Sequence, residues 1–383
     1  MSSLKSLVNE PPIDHAELLA RLRFSLDDPA VAGEEHAERV AKAFDALRAG
    51  TRGKSMRVSA RLMPTLHSVV REACERLLLP DEPETYIEQS AELNAFAVAD
   101  GKRSFIQINS AMVNLLEPEE LGAIVGHELA HAGYRHSARQ GADESNTVGL
   151  LLDRERSRAQ EVSADRVGLL AVSDPIFALR AELKMASGLG ARYLTPDIDA
   201  FLEQLVAEDT DIDAVWEDAS THPSFKFRFW AQRHFLESDL YRSLKGLQGG
   251  RPFAAVEAEI EDRFLGIGSG MAFRATADAL HEALAWLGML AVAAGDGHVT
   301  DVERAALVEL VGRIWADDAC AYARRHGLKA VERRARETLA PLRYGGVRTR
   351  QRLEQALAEL IERAGAKDRA AALQAIVDEA LRH

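Results

Sequence analysis

Residues 127–131, His-Glu-Leu-Ala-His, form an H-E-x-x-H motif. If the segment is helical, His127 and His131 share one face, and both imidazoles can reach one metal ion at about 2.1 Å. Glu128 is turned by about 100° from His127, which leaves its carboxylate beside the metal as a candidate general base. The motif therefore indicates a zinc hydrolase.

Apolar residues surround this motif at helical spacing. They are Leu121, Ile124, Val125, Leu129 and Ala130. Such a pattern predicts a helix that is buried on most of its surface. A surface helix with solvated charges is the simpler alternative for His127, His131 and, later in the chain, Glu161. A buried helix, however, does not carry two histidines and a glutamate together for solubility.

A third protein ligand is needed, because a catalytic zinc has three protein ligands and one open position. Glu161 is the candidate, since residues 158–166 contain no Pro or Gly and predict a second helix. Asp165 follows one turn later on the same face, where it can accept the free ring N–H of a ligand histidine. The alternative for Asp165 is a surface charge beside Arg166.

Four separated pieces of the chain resemble one family, the gluzincin-type zinc metallopeptidases that include CAAX prenyl proteases and HtpX-like membrane proteases. Residues 93–97 (LNAFA) are similar to the family's Asn-Ala strand, and residues 119–131 to its active-site helix. Residues 160–165 are similar to its glutamate helix. Residues 221–224 (THPS), followed by Arg228, are similar to its His-Pro element.

The resemblance covers about residues 55–240 and implies a zincin-like fold, one Zn2+ per chain and hydrolysis of peptide bonds. It implies that Glu128 takes a proton from the attacking water and passes it to the leaving amine. An oxyanion donor is also implied, and His222 and Arg228 both remain candidates. Their structural alternatives are a capping histidine and an ordinary ion-pair partner. Pro223 is predicted at the first position of a helix, which places His222 at or just before that helix's N-terminus.

Two short apolar segments, residues 94–99 and 104–108, predict a β-hairpin. An exposed edge strand can pair with an extended polypeptide, which would select unfolded or flexible substrates. With the family resemblance, this implies that Asn94, Ala95 and Phe96 bind substrate. The alternative is a hairpin with a structural role alone.

Composition narrows the remaining function classes. The 383 residues are 47% hydrophobic and 28% charged, as in a globular protein, and the net charge of -13 disfavours nucleic acid and anionic membrane surfaces. The two cysteines, Cys74 and Cys320, are compatible with a reducing compartment, so a cytoplasmic location is expected. No secretory signal is evident, and the longest apolar run, residues 283–295, is too short for an integral membrane segment. The lipidated and membrane-protein substrates of membrane-embedded relatives are therefore not expected here.

The sequence predicts an α+β, mostly helical fold with three parts. Residues 1–54 form an N-terminal helical segment, 55–248 a zinc metallopeptidase domain with a small β-sheet, and 253–383 an all-helical domain. Residues 284–303 resemble the TerB-like domain of tellurite-resistance proteins, which implies a module that recruits a protein partner, senses or regulates. Thr300 and Glu303 are predicted to form a capping box; a divalent cation at Asp296, Asp301 and Glu303 is the alternative.

Two segments after the motif helix complete the predictions. His136 lies five residues past His131, and a continued helix rotates it off the metal face, so it is expected to be a C-terminal helix residue. Residues 137–153 break the helical pattern and predict a loop that could act as a lid.

The sequence thus favours a zinc-dependent endopeptidase that acts on polypeptides. The alternatives are a non-catalytic zinc-binding scaffold and a zinc hydrolase acting on non-peptide amides. Glu128 argues against the scaffold, because metal binding alone does not require a base.

Overall fold

The structure is a computed structural model, which describes residues 13–27, 34–100, 103–136, 147–207, 221–266, 269–293, 299–345 and 347–381. The chain divides into two compact units. The first comprises Met1–Gln140, Ser157–Asp213 and His222–Leu265, and the second Gly141–Arg156, Ala214–Thr221 and Gly266–His383. The three-part division at residues 54 and 248 stays a prediction.

The first unit combines helices with a small sheet. Its described helices are His15–Leu22, Glu34–Lys54, Pro64–Arg76, Ser110–Leu115, Pro118–Tyr134, the latter part of Thr147–Ala171, Ile176–Ser187, Ile198–Ala207, Phe225–Leu236, Asp239–Leu244 and Phe253–Gly266. Its strands are β1 (Met56–Arg57), β2 (Glu84–Glu88), β3 (Ala95–Ala99) and β4 (Ser104–Asn109).

The four strands form one mixed sheet in the order β1-β2-β4-β3. β1 and β2 are antiparallel, β2 and β4 are parallel, and β3 pairs antiparallel with β4, with Ala97 opposite Ile106. The predicted hairpin is therefore confirmed, as is a mostly helical α+β fold. No helix in the described part of the chain is both long and apolar enough to cross a membrane.

The H-E-x-x-H motif lies in the helix Pro118–Tyr134, called the motif helix below. Pro118 occupies the first turn, and Glu117 and Glu120 form a reciprocal capping box that satisfies two otherwise unpaired N–H groups. The helix ends at Tyr134 because Arg135 adopts a left-handed conformation, with φ 58°. Because the helix ends there, His136 does not follow the helical path.

Glu161 lies in the helix Thr147–Ala171, called the glutamate helix below. The two helices cross where both carry glycine: a Cβ on Gly126 would lie 2.3 Å from Cβ of Ala171, and one on Gly168 would lie 2.9 Å from the carbonyl oxygen of Ala123. No side chain fits at such distances, so the two glycines permit the approach that brings Glu161 to the motif.

The second unit is helical throughout its described residues. Its elements are the first turns of Thr147–Ala171, then Ser269–Val292, Asp301–Val311, Arg313–His326, Leu328–Leu339, the 3-10 segment Ala340–Tyr344, Val347–Arg363, the 3-10 segment Lys367–Arg369 and Ala370–Leu381. Its apolar core includes Leu152, Leu287 and Leu353.

Two sequence predictions concern this unit. The capping box of Thr300 and Glu303 is confirmed, because the Thr300 hydroxyl accepts from the Glu303 N–H and the Glu303 carboxylate accepts from the Thr300 N–H. Asp296 lies outside the described residues. The loop predicted at residues 137–153 is wrong in its last part, because residues 147–153 are helical and Leu152 is buried in the helical core; residues 137–146 lie outside the described part.

Candidate metal centre

Three potential metal ligands converge where the motif helix meets the glutamate helix. Nε2 of His127 lies 3.0 Å from Nε2 of His131, and the two nitrogens lie 3.3 Å and 3.4 Å from the Glu161 carboxylate oxygens. All ligand atoms of this trio lie within 4.8 Å of one another. The trio predicted from sequence is therefore brought together.

The His127 ring is held from behind by Asp165. Oδ1 of Asp165 accepts from Nδ1 of His127 at 3.0 Å, as its place one turn after Glu161 predicted. Arg228 then donates from Nε and Nη2 to the two oxygens of Asp165, at 2.9 Å and 2.5 Å. Arg228 also approaches Glu161 at 3.9 Å and Glu182 at 3.7 Å, so its guanidinium lies near three carboxylates.

The pKa values of His127 and of the carboxyl groups around it are shifted by burial and by neighbouring charges. Burial would lower the pKa of the His127 imidazole, but its hydrogen bonds to Asp165 and Glu161 outweigh burial and raise it to about 10. Burial would raise the pKa of Asp165, but the charge and hydrogen bonds of Arg228 lower it to about 2. Burial raises the pKa of Glu182. The His127 side thus strongly favours a cation between its ligand atoms.

The His131 ring contacts His136, which the sequence predicted to lie off the metal face. Nδ1 of His131 lies 2.7 Å from Nδ1 of His136, and Nε2 of His136 lies 3.1 Å from Oδ2 of Asp27. The expectation that His136 faces away from the metal site is wrong. It assumed a continuing helix, whereas the left-handed turn at Arg135 brings the His136 ring against His131.

Aromatic and charged neighbours fix the His136 ring in this place. Tyr134 stacks on it with centroids 5.2 Å apart, and the guanidinium of Arg23 lies over the other ring of this stack, 4.4 Å from the Tyr134 centroid. Burial lowers the pKa of His136 in spite of its hydrogen bond to Asp27. A helix end cannot be placed from periodicity to the nearest residue, so no clear signal in the sequence points to this contact.

Asp27 is 1% exposed and lies behind His136. Its Oδ2 also accepts from the Ser163 hydroxyl at 2.7 Å, and Ser163 Oγ accepts from the Phe24 N–H at 2.9 Å. Burial would raise the pKa of Asp27, but hydrogen bonds from His136 and Ser163 and the charge of Arg23 lower it. The residue is an anion at neutral pH and can only accept hydrogen bonds.

Glu128 is buried on the motif helix, with 8% of its surface exposed. Within the described residues, its carboxylate makes no hydrogen bond or ion pair. A carboxylate next to the ligand histidines that no cation neutralises is available as a proton acceptor.

The two candidate oxyanion donors occupy different environments. Arg228 is committed to Asp165, whereas the His222 side chain is 63% exposed and its Nε2 lies 3.5 Å from Oε1 of Glu161. Pro223 does not occupy the first helical position, because the helix Phe225–Leu236 begins later and Ser224 caps it by accepting from the Phe227 N–H. His222 therefore precedes the cap by two residues.

Ala95 and Phe96 begin β3, the last strand in the sheet order, and Asn94 immediately precedes it. The Asn94 carbonyl accepts from the Asn109 N–H at 3.0 Å, and the Phe96 ring packs edge-on against Phe105 at 5.9 Å. β3 packs beside the motif helix, and its outer edge has no partner strand in the described part of the chain.

The donor set fits zinc. Asp165 accepts from Nδ1 of His127, and Nδ1 of His136 faces Nδ1 of His131, so the Nε2 atoms of both candidate ligands face one point and lie 3.0 Å apart. With the Glu161 carboxylate beside them, this point favours a cation, either a proton, as the raised pKa of His127 indicates, or a metal ion in its place. Two imidazoles and one carboxylate are also a ligand set of catalytic zinc.

Comparison with known proteins points to the same chemistry. Residues 60–146 match the sequence model of Peptidase family M48. The chain is 31% identical over 173 residues to the plastoglobule-localized metallopeptidase 48 of Arabidopsis thaliana, covering 41% of this chain and 50% of that protein. Two HtpX protease homologues are also similar. That of Thermodesulfovibrio yellowstonii is 35% identical over 79 residues (20% and 28% of the chains), and that of Moorella thermoacetica 26% over 216 residues (45% and 72%).

These matches show that the chain is similar to M48 peptidases over part of its length. The chain spans half the length of the plastoglobule relative and 28% of the Thermodesulfovibrio one. No solved structure matches the chain. The segment that matches the family model ends before Glu161 and Arg228, so that match does not include these two residues.

Proposed function

We propose that this chain is a zinc-dependent endopeptidase that hydrolyses peptide bonds in unfolded or flexible polypeptides. The observation that carries the proposal is the convergence of His127, His131 and Glu161 within 4.8 Å, with Glu128 buried on the same helix as the two histidines. One Zn2+ per chain would be held by these three ligands. When bound, zinc supplies a Lewis acid that polarises a carbonyl and lowers the pKa of a water to about 7.

The residues of this chain supply the other parts of the reaction. Glu128 accepts the proton of the attacking water and returns it to the leaving amine. His222 is favoured as the donor to the developing oxyanion, because its ring is exposed beside Glu161 whereas Arg228 is occupied by Asp165. In this proposal Arg228 acts through Asp165 and positions His127.

An extended substrate would pair with the outer edge of β3, where Asn94, Ala95 and Phe96 lie. Backbone hydrogen bonds along an edge strand require an extended chain and little sequence specificity. This supports flexible polypeptides as the substrate class, in preference to folded domains.

Further parts of the proposal concern the rest of the chain. The second unit is proposed to be a TerB-like module that binds a protein partner; its all-helical described structure and its capping box support this. A cytoplasmic location stays a prediction, supported by two buried cysteines, Cys74 and Cys320, that form no disulfide.

The test is cleavage of casein, an unfolded polypeptide, followed by mass spectrometry, with bound zinc counted on the same samples. We expect one zinc in wild type and in Glu128→Gln, and cleavage about 100- to 10,000-fold slower in Glu128→Gln. Glu119→Gln is the matched control, because this exposed glutamate lies on the same helix.

Two outcomes would contradict the proposal and favour one of the alternative functions. A zinc-loaded wild type that leaves casein intact but hydrolyses a small amide would be a hydrolase of non-peptide substrates. A zinc-loaded wild type inactive on both would be a scaffold.

A further inference from the structure

We propose that Asp27 and His136 are positioning residues of the metal centre, holding the His131 ring so that its Nε2 lone pair faces the metal. The inference deepens the proposed function and rests on its zinc site. It adds to that site a segment far from the motif in sequence, since Asp27 precedes the family match at residues 60–146 by more than thirty residues.

The hydrogen bonds run in a single direction. Asp27 can only accept, so Nε2 of His136 carries a proton and donates it to Asp27. Nδ1 of His136 lies 2.7 Å from Nδ1 of His131. A histidine that binds a metal through Nε2 carries its proton on Nδ1, and Nδ1 of His136 is placed to accept that proton and hold the His131 ring in this tautomer.

Other contacts hold Asp27, the last acceptor in this series of hydrogen bonds, in place. Ser163 Oγ–H donates to its Oδ2, and Ser163 is held by the Phe24 N–H. Its Oδ1 is buried without a hydrogen bond among the described residues, 3.7 Å from Nη1 of Arg23. Nearby in the same segment, Ser25 donates its N–H to Glu257 at 2.9 Å.

Glu257 is itself tied to the glutamate helix. It forms a buried ion pair with Arg166, the residue after Asp165, and the Arg166 guanidinium lies over the rings of Phe24, Phe235 and Phe253. Residues 24–27 are thus held from both sides against the helix that supplies Glu161. This segment is part of the metal centre's support.

A merely structural role would make His136 a buried residue that closes the end of the motif helix. A structural role would require a side chain of similar volume at position 136 that bonds to Asp27. A positioning role would require a hydrogen-bond acceptor where Nδ1 of His136 lies. Two substitutions separate these possibilities. Asn places an amide oxygen near the position of Nδ1, and Gln places its amide near the position of Nε2.

The experiment is zinc affinity by chelator competition on the full chain, with the visible spectrum of bound Co2+ as a readout of ligand geometry. The variants are His136→Asn, His136→Gln, His136→Ala and Asp27→Asn, with Asp14→Asn as the matched control. Asp14 lies in the same segment, where it caps the first helix, and asparagine caps a helix equally well. Circular dichroism checks that each variant folds.

We expect His136→Gln and His136→Ala to weaken zinc binding about 10- to 100-fold and to alter the Co2+ spectrum. His136→Asn should retain most of the affinity and the wild-type spectrum, and Asp27→Asn should give an intermediate loss. If His136→Ala fails to fold, the Asn and Gln pair still decides the question.

Equal affinity in wild type and His136→Gln would overturn the inference and leave the zinc site standing. Equal losses in the Asn and Gln variants would also overturn it, because they indicate a structural role. A wild type that binds no zinc would instead remove the proposed function, and the inference with it.

Discussion

The two histidines of the motif are supported by two different kinds of structure. His127 is held by an ionic cluster, in which Asp165 accepts its N–H and Arg228 neutralises Asp165. His131 is held by a chain of hydrogen bonds through His136 to Asp27, residues that lie 109 positions apart. Both arrangements place a hydrogen-bonding partner at Nδ1 and leave Nε2 facing the candidate metal position, so one requirement is met by a carboxylate on one side and by a second imidazole on the other.

The glutamate helix serves both sides. Asp165 faces His127, while Ser163, two residues earlier, donates to Asp27 behind His131. The helix therefore supplies one candidate ligand and part of the support for each of the other two. A change in this helix should affect both histidines, whereas a change in Arg228 or His136 should affect one.

The largest effect should come from removing the ligand common to both sides. Glu161→Ala should weaken zinc binding by about three orders of magnitude or more, because two imidazoles alone hold zinc weakly. Chelator competition measures it, with Glu128→Gln as the comparison that keeps its zinc. The opposite pattern would mean that ligand and base have been interchanged.

The ionic cluster of the His127 side should dominate stability. Arg228→Met should lower the free energy of unfolding by about 3–5 kcal/mol, because it leaves buried carboxylates without their cation. Urea denaturation in the presence of a chelator measures this. Arg233→Met, which removes an exposed ion pair with Glu237 on the same helix, should change stability by less than about 0.5 kcal/mol. Equal effects of the two variants would show that burial of the cluster contributes nothing.

A smaller effect should follow from separating the two crossing helices. Gly126→Ala should destabilise the fold by about 1–3 kcal/mol, because its Cβ would lie 2.3 Å from that of Ala171. Zinc affinity should fall too, since Glu161 moves away from both histidines together. Gly122→Ala is the control on the same helix, where the added Cβ meets Val172 at an ordinary 3.5 Å. A Gly126→Ala variant as stable as the control would contradict the close crossing.

The smallest effect tests the end of the glutamate helix, away from both histidines. Lys245 donates to the Val172 carbonyl at 2.7 Å, and burial, with the charge of Arg76, lowers its pKa from 10.5 to about 8. The unfolded chain therefore binds the proton more tightly, so stability should rise between pH 8 and 10.5, by on the order of 1 kcal/mol.

Lys245→Met should remove this rise. Urea denaturation at about pH 7.5 and about pH 10 measures the difference between the two proteins. A wild type whose stability shows the same pH dependence as the variant would mean that Lys245 is solvated.

The features predicted correctly from the sequence depend on residues that lie close together in the chain. Residues four apart on a helix must share a face, so the convergence of His127 and His131 and the place of Asp165 relative to Glu161 follow from spacing alone. The β3–β4 hairpin and the Thr300 capping box were also predictable, because each depends on residues close together in the chain. Prediction of the site failed at the ends of helices, where the motif helix stops at Arg135 and the later helix starts only at Phe225.

The sequence by itself determined the candidate ligands, the candidate base and a mostly helical fold with a small sheet. The tertiary structure decided what stands behind the ligands: it brought Asp27 to His136, set Arg228 on Asp165 and left His222 exposed. The reason is physical. Helical periodicity fixes neighbours within one element, whereas contacts between distant segments depend on where helices end and how closely they pack.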